Sequence, residues 1–262
     1  MEPPPLVESR PSVPDNVSDA GIVPSFPVWT LGDVLRVVVV LLLSIFFTGV
    51  LSVMFVSALP AYRNATSAQI ATDPRIIVPA QVVAYLVTVW FVYRMITLHY
   101  RANFWEAIHW RWPAKWLIFL VGGLCLSVLL QVVSHALPIP KKLPIDEFFK
   151  TQGGVWMMAI YGTLIAPFTE ELFFRGLLYP ALVRKMGMPV AIGLTSLAFA
   201  LIHASQLGWS FAAVGIMIGV GLALTLVRAL SGSLAASTIV HLGYNGLIFG
   251  LIFVGTHGFR KF

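Results

Sequence analysis

Charge is scarce in this chain of 262 residues. Asp, Glu, Lys and Arg make up 11% of it and hydrophobic residues 58%. A soluble domain carries about 25% charged and about 45–50% apolar residues, so the balance excludes an ordinary soluble domain and points to an integral membrane protein. Period-2 alternation of barrel-strand length is missing, which leaves helices as the spanning element. The single cysteine, Cys125, excludes an internal disulfide and, inside an apolar run, reads as a packing residue. No basic tract is present. The net charge of +6 comes from scattered Lys and Arg, which suits helix ends at a cytoplasmic surface and not a nucleic-acid partner. Acidic residues are rarer still. Beyond Glu147 only Glu170 and Glu171 remain, adjacent and inside an apolar stretch. A carboxylate in hydrocarbon is costly, so such a residue faces a protein interior and marks chemistry or transport.

What is present is a series of apolar runs, most near the roughly 20 residues that cross the hydrocarbon and the fourth too long for a simple span. They cover 37–59, 76–93, 116–137, 153–185, 189–204, 209–230 and 233–254. The expected fold is all-α, a polytopic transmembrane helix bundle of about seven spans. Residues 1–32, rich in Pro, Ser, Val and Asp near the start, read as a flexible tail and not a cleaved signal peptide. Residues 33–150 form N-terminal transmembrane helices and loops, 151–256 a second helical core, and 257–262 a C-terminal tail. Trp105, Trp110 and Trp112 mixed with Arg101 and Arg111 suit a segment at headgroup level. Pro167 lies inside the fourth run, where a proline kinks a helix and frees a carbonyl about one turn earlier. Gly215 and Gly219 have the small-xxx-small spacing of a close helix contact. Arg94, Arg101, Arg111, Lys115, Arg184, Lys185 and Arg228 cluster at alternate helix ends, which sets the N-terminus in the cytoplasm. The compact chain suits a bacterial inner membrane.

Polar groups recur at one depth. At 1.5 Å per residue, Glu170 is about 20 Å from the end marked by Arg184, His203 about 20 Å past Pro189, His241 about 12 Å and Asn245 about 18 Å past Ser233. Three helices thus bring polar residues to one layer. Glu171 and Arg175 are i and i+4, spaced for an ion pair, as are His241 and Asn245 for a shared face. Glu170 is turned about 100° from Glu171 and is free to face a cavity. Each feature has a plainer reading: a structural ion pair for Glu171 and Arg175, a satisfied core histidine for His203, an interhelical hydrogen-bonded pair for His241 and Asn245.

The residues Glu170-Glu171-Leu172-Phe173-Phe174-Arg175 resemble the Glu-Glu-x-x-x-Arg motif of the CPBP family, the CAAX prenyl endopeptidase-like or Abi intramembrane proteases. Phe199 to His203 resembles that family's Phe-x-x-x-His motif, and His241 to Asn245 its His-x-x-x-Asn motif. The three occur in the family order, and the resemblance covers about 155–251. It implies a glutamate-type intramembrane endopeptidase. By that resemblance Glu170 and His203 activate water, His241 and Asn245 donate to the oxyanion, and Arg175 holds Glu171 to orient the site. Phe199 is a supporting residue, expected to pack beneath His203. No cofactor is implied outright; a zinc ion on Glu170, His203 and His241 is the open alternative. The partners expected are membrane lipids and a membrane-bound or lipidated peptide, with no nucleic acid. A non-catalytic binding or immunity protein of the same fold is the rival function. A transporter is a third, but the inverted repeats that would favour it are missing.

Overall fold

Thr30 and Asp33 start the first helix. Asp33 Oδ2 accepts from the Thr30 amide at 2.9 Å and Thr30 Oγ1 from the Asp33 amide at 3.3 Å, a capping box that satisfies two otherwise orphaned donors. Helix α1 is therefore Leu31–Ser57. It begins well before residue 37, where hydropathy alone set it, because the polar first turn is held internally: Arg36 Nη1 lies 2.8 Å from Asp33 Oδ1.

The computed structural model describes residues 26–259. Among them there are helices and turns and no strand. Helix α2, Pro74–Arg94, starts on the Asp73 cap, whose side chain accepts from the Arg75 amide at 2.9 Å, with proline at the first helical position where its missing N–H is harmless. It runs on through a π turn, Met95–His99. Helix α3 is Trp116–His135. Helix α4 is one run from 152 to 186, in which two π segments, Tyr161–Ile165 and Leu172–Leu178, interrupt the α geometry. Then come α5, Met188–His203, α6, Phe211–Ser231, and α7, Leu234–Gly255. The seven expected runs each correspond to one of these helices. Five of them (α1, α2 with its π turn, α3, α6 and α7) are long and apolar enough to cross a membrane, and α5 is a shorter apolar helix. The protein is an integral membrane helical bundle.

Helix α4 is the hub. Leu172 and Leu177 pack with Val34 and Val37 of α1 and Val92 of α2, while Phe174 packs with Phe199, Val220, Leu224, Val240 and Tyr244 of α5, α6 and α7. Two glycine contacts set the spacing around it. A Cβ on Gly123 of α3 would lie 2.2 Å from the Val240 carbonyl oxygen, and one on Gly243 of α7 would lie 2.6 Å from that of Leu120. These helices touch backbone to backbone, as small residues allow in a bilayer. On α6 the close contact is at Gly221, where a Cβ would meet the Ser196 backbone of α5 at 2.9 Å. The expected Gly215–Gly219 contact is not formed: Gly215 has nothing within 4 Å and Gly219 only a leucine methyl at 3.8 Å. Gly221 is two residues beyond Gly219, so about 200° round the helix, and that is the side that meets α5.

Both assumed tails are partly anchored. Trp29 is 0% exposed and its Nε1 donates to the Leu177 carbonyl at 3.0 Å; Arg184 Nη1 donates to the Pro27 carbonyl at 2.8 Å. Phe259 is buried against Trp156 and Phe253, with centroids 4.9 and 5.1 Å away. A buried aromatic ring and a satisfied indole N–H hold these ends on the bundle. The tail residues 1–25 and 260–262 lie outside the described residues.

Candidate active site

The site begins at Pro167, in the first turn after the π-helical segment Tyr161–Ile165. Proline has no N–H to give to a carbonyl one turn earlier, and the preceding turn is π-helical. The Gly162 carbonyl accepts instead from Asn245 Nδ2 of α7, at 2.6 Å. Residue 162 must be small here, since a Cβ would fall 2.8 Å from the ring of Phe249. The bond crosses from α4 to α7 about two turns before the glutamate pair. It also occupies one N–H of Asn245, expected to serve an oxyanion; one N–H of its amide is left.

One turn on, Glu171 and Arg175 are both 0% exposed and form an ion pair at 2.9 Å. A buried pair of this kind needs its remaining donors and acceptors met. Arg175 Nε donates to Thr225 Oγ1 at 3.2 Å and Nη2 to the Gly221 carbonyl at 3.0 Å, both on α6. Glu171 Oε1 also takes His241 Nδ1 at 3.0 Å, while its Oε2 is buried without a hydrogen-bond partner. The pair thus ties α4 to α6 and α7 and fixes one nitrogen of His241.

Glu170 points the other way, as its position one residue earlier requires. Its Oε1 lies 3.9 Å from His203 Nε2 and its Oε2 3.8 Å from His241 Nε2. Those separations exceed a direct hydrogen bond and match groups bridged by a shared small molecule such as water. The far nitrogen of each ring is already engaged: His203 Nδ1 with the Phe199 carbonyl at 2.9 Å, His241 Nδ1 with Glu171. If those nitrogens carry the protons, as assignment to acceptor oxygens requires, the Nε2 atom of each ring faces Glu170, as a lone pair in a neutral ring and as a donor in a doubly protonated one. Phe199 sits at the centre of the group. The Arg175 guanidinium lies 4.5 Å over its face, and its centroid is 4.9 Å from His203 and 5.8 Å from His241. It is more than padding beneath one histidine: it is the apolar partition on which three polar groups rest.

Glu170, Glu171, Arg175, Phe199, His203 and His241 are therefore brought together, from α4, α5 and α7, while Asn245, one turn past His241, is held by the Gly162 carbonyl. Sequence reading missed the groups that hold them, Gly162, Gly221 and Thr225, none of which carries a signal of its own. It also missed Tyr85 of α2, which lines the same cavity as Glu170 and stacks on Tyr161 at 6.1 Å. That cavity, about 90 Å³, lies between α1, α2 and α4 and is otherwise walled by residues such as Val37, Val89, Phe173 and Leu177. The zinc alternative asks Glu170, His203 and His241 to meet at one point. Among the described residues no three His, Cys, Asp or Glu side chains are grouped as metal ligands.

The fold and the site define an integral membrane protein with a buried carboxylate–imidazole centre. Residues 152–257 match the model of the type II CAAX prenyl endopeptidase Rce1-like family, to which this part of the chain is similar. The match begins with α4 and ends just after α7, so it contains the whole centre and leaves α1 to α3 outside. No curated protein and no solved structure matches the chain.

Proposed function

We propose that the protein is an intramembrane glutamate-type endopeptidase that hydrolyses a peptide bond in a membrane-associated substrate. The observation that carries this reading is the placement of the two Glu170 oxygens 3.9 and 3.8 Å from two histidine Nε2 atoms. A water between Glu170 and His203 would donate one hydrogen to each and turn a lone pair toward the substrate carbonyl. Glu170 takes the water proton as the new C–O bond forms. The same proton then passes to the leaving amine nitrogen as the C–N bond breaks. The oxyanion is met by the free N–H of Asn245 and by His241 Nε2. With Nδ1 committed to Glu171, His241 donates from Nε2 as an imidazolium, both nitrogens protonated. Glu171 and Arg175 orient His241 without touching substrate.

The apolar cavity beside Glu170 supports a membrane-bound or lipidated peptide as substrate, since its walls suit a hydrocarbon chain running to the centre. The basic residues at alternate helix ends support a cytoplasmic N-terminus. The test is mass spectrometry of membrane peptides from cells carrying the wild-type chain or Glu170→Gln at equal membrane levels. Fragments that require the wild-type protein are expected. Identical peptide sets would remove the hydrolytic reading and leave a binding protein of the same fold.

A further inference from the structure

A second buried guanidinium, beyond the hydrolytic centre, sits in the last turn of α6, three residues past Thr225. Arg228 is 4% exposed, and its Nε is buried without a hydrogen-bond partner. Arg175 shows how this fold satisfies such a group, with a carboxylate, a hydroxyl and a carbonyl. Among the described residues Arg228 makes no such set. Tyr179 and Glu171 act on it favourably and Arg111 repels it, but Glu171 is already taken by Arg175 and His241. His109 completes the cluster. Burial first, then the charges of Arg228 and Arg111, push its ring below the usual histidine range.

The arrangement is held by backbone. The Leu234 amide donates to the His109 carbonyl at 3.0 Å, and Ser233 Oγ donates to the Arg111 carbonyl. The 109–111 segment is thus fastened to the turn between α6 and α7, which keeps its backbone beside the end of α6 that carries Arg228. Exposed Trp105, Trp112 and Trp116 surround the segment, as tryptophans do at headgroup level. An uncompensated guanidinium is costly to bury, and its fork of donors matches phosphate oxygens.

We propose that Arg228, Arg111 and the Tyr179 hydroxyl form a binding site for a phosphate group, that of an acidic phospholipid headgroup. A phosphate there neutralises Arg228 and relieves its repulsion with Arg111. The site is independent of the hydrolytic reading.

The test uses the full chain, purified in neutral detergent and stripped of lipid, with its thermal midpoint followed by tryptophan fluorescence. Phosphatidylglycerol, phosphatidylcholine and inorganic phosphate are added separately. Phosphatidylglycerol is expected to raise the midpoint by several degrees. Phosphatidylcholine should do little, because its choline cation opposes the cluster. Arg228→Gln and Arg111→Gln should each lose most of the rise. Arg111 is exposed, so its variant decides the matter if Arg228→Gln does not fold. An equal rise with inorganic phosphate at matched concentration, lost in the same variants, keeps the phosphate site and overturns the lipid as its source. An unchanged rise in the variants, or no rise from either phosphate source, overturns the site itself.

Discussion

Glu171 and His241 are joined across two helices at 3.0 Å, through the same carboxylate oxygen that takes Arg175 at 2.9 Å. One atom therefore sets the pose of the histidine that faces Glu170. Removing it leaves a buried guanidinium without its counter-charge. Glu171→Ala is expected to cost about 3–5 kcal/mol of stability, the range for breaking a buried pair from one side. Unfolding in detergent measures it; a loss below 1 kcal/mol, on the order of a surface pair, would mean the tie is not structural.

Asn245 has two duties in this account, the Gly162 carbonyl and the oxyanion. Asn245→Ala should lower stability by about 1–3 kcal/mol, the cost of an unsatisfied buried group, and lower cleavage further than the stability loss explains. Asn245→Asp should be no better, since a carboxylate cannot donate to the carbonyl. Parallel melting and turnover assays separate the two effects, and full activity in either variant would remove Asn245 from the site.

The backbone contact between α3 and α7 makes a sharp contrast testable. Gly123→Ala would put a methyl 2.2 Å from a carbonyl oxygen, whereas Gly215→Ala meets nothing within 4 Å. The first is expected to reduce the yield of monodisperse protein on size-exclusion chromatography severely, and the second to leave it unchanged. Equal yields would mean that the helices do not cross there.

His109 links stability to pH. Its folded pKa is lowered, chiefly by burial and then by Arg228 and Arg111, while an unfolded histidine titrates near about 6.5. Between those values the unfolded chain holds more protons, so stability falls as pH falls. The His109 contribution is complete above about 6.5 and is lost below it. Thermal midpoints from pH 7.5 to pH 5 should drop more steeply for the wild type than for His109→Gln; parallel curves would contradict the assignment.

Much of the centre was legible before any coordinates. The division of labour between Glu170 and Glu171 follows from 100° of helical rotation, and the i, i+4 spacing of Glu171 and Arg175 already names a pair. The break in regular helix at Pro167 was legible too, but not which carbonyl it frees, because the π turn at 161–165 changes the register. The start of α1 could have been read from Thr30 and Asp33, a capping box; hydropathy hid it by starting at 37. Gly215 and Gly219 had the right spacing on the wrong face, since only the packing of α5 decides which side of α6 needs small residues. Thr225, Gly221 and Tyr85 hold or border the centre through contacts far apart in the chain, and no local pattern announces them.

The central claim is that Glu170 acts on water to cut a peptide bond. It is met most directly by purified full chain in lipid vesicles, given a lipidated peptide and followed by mass spectrometry of the released fragments. Wild type should release a single defined fragment, and Glu170→Gln, with the same thermal midpoint, should release it at least about 10²-fold more slowly, the scale of a lost general base. Release by Glu170→Gln at the wild-type rate would contradict the account.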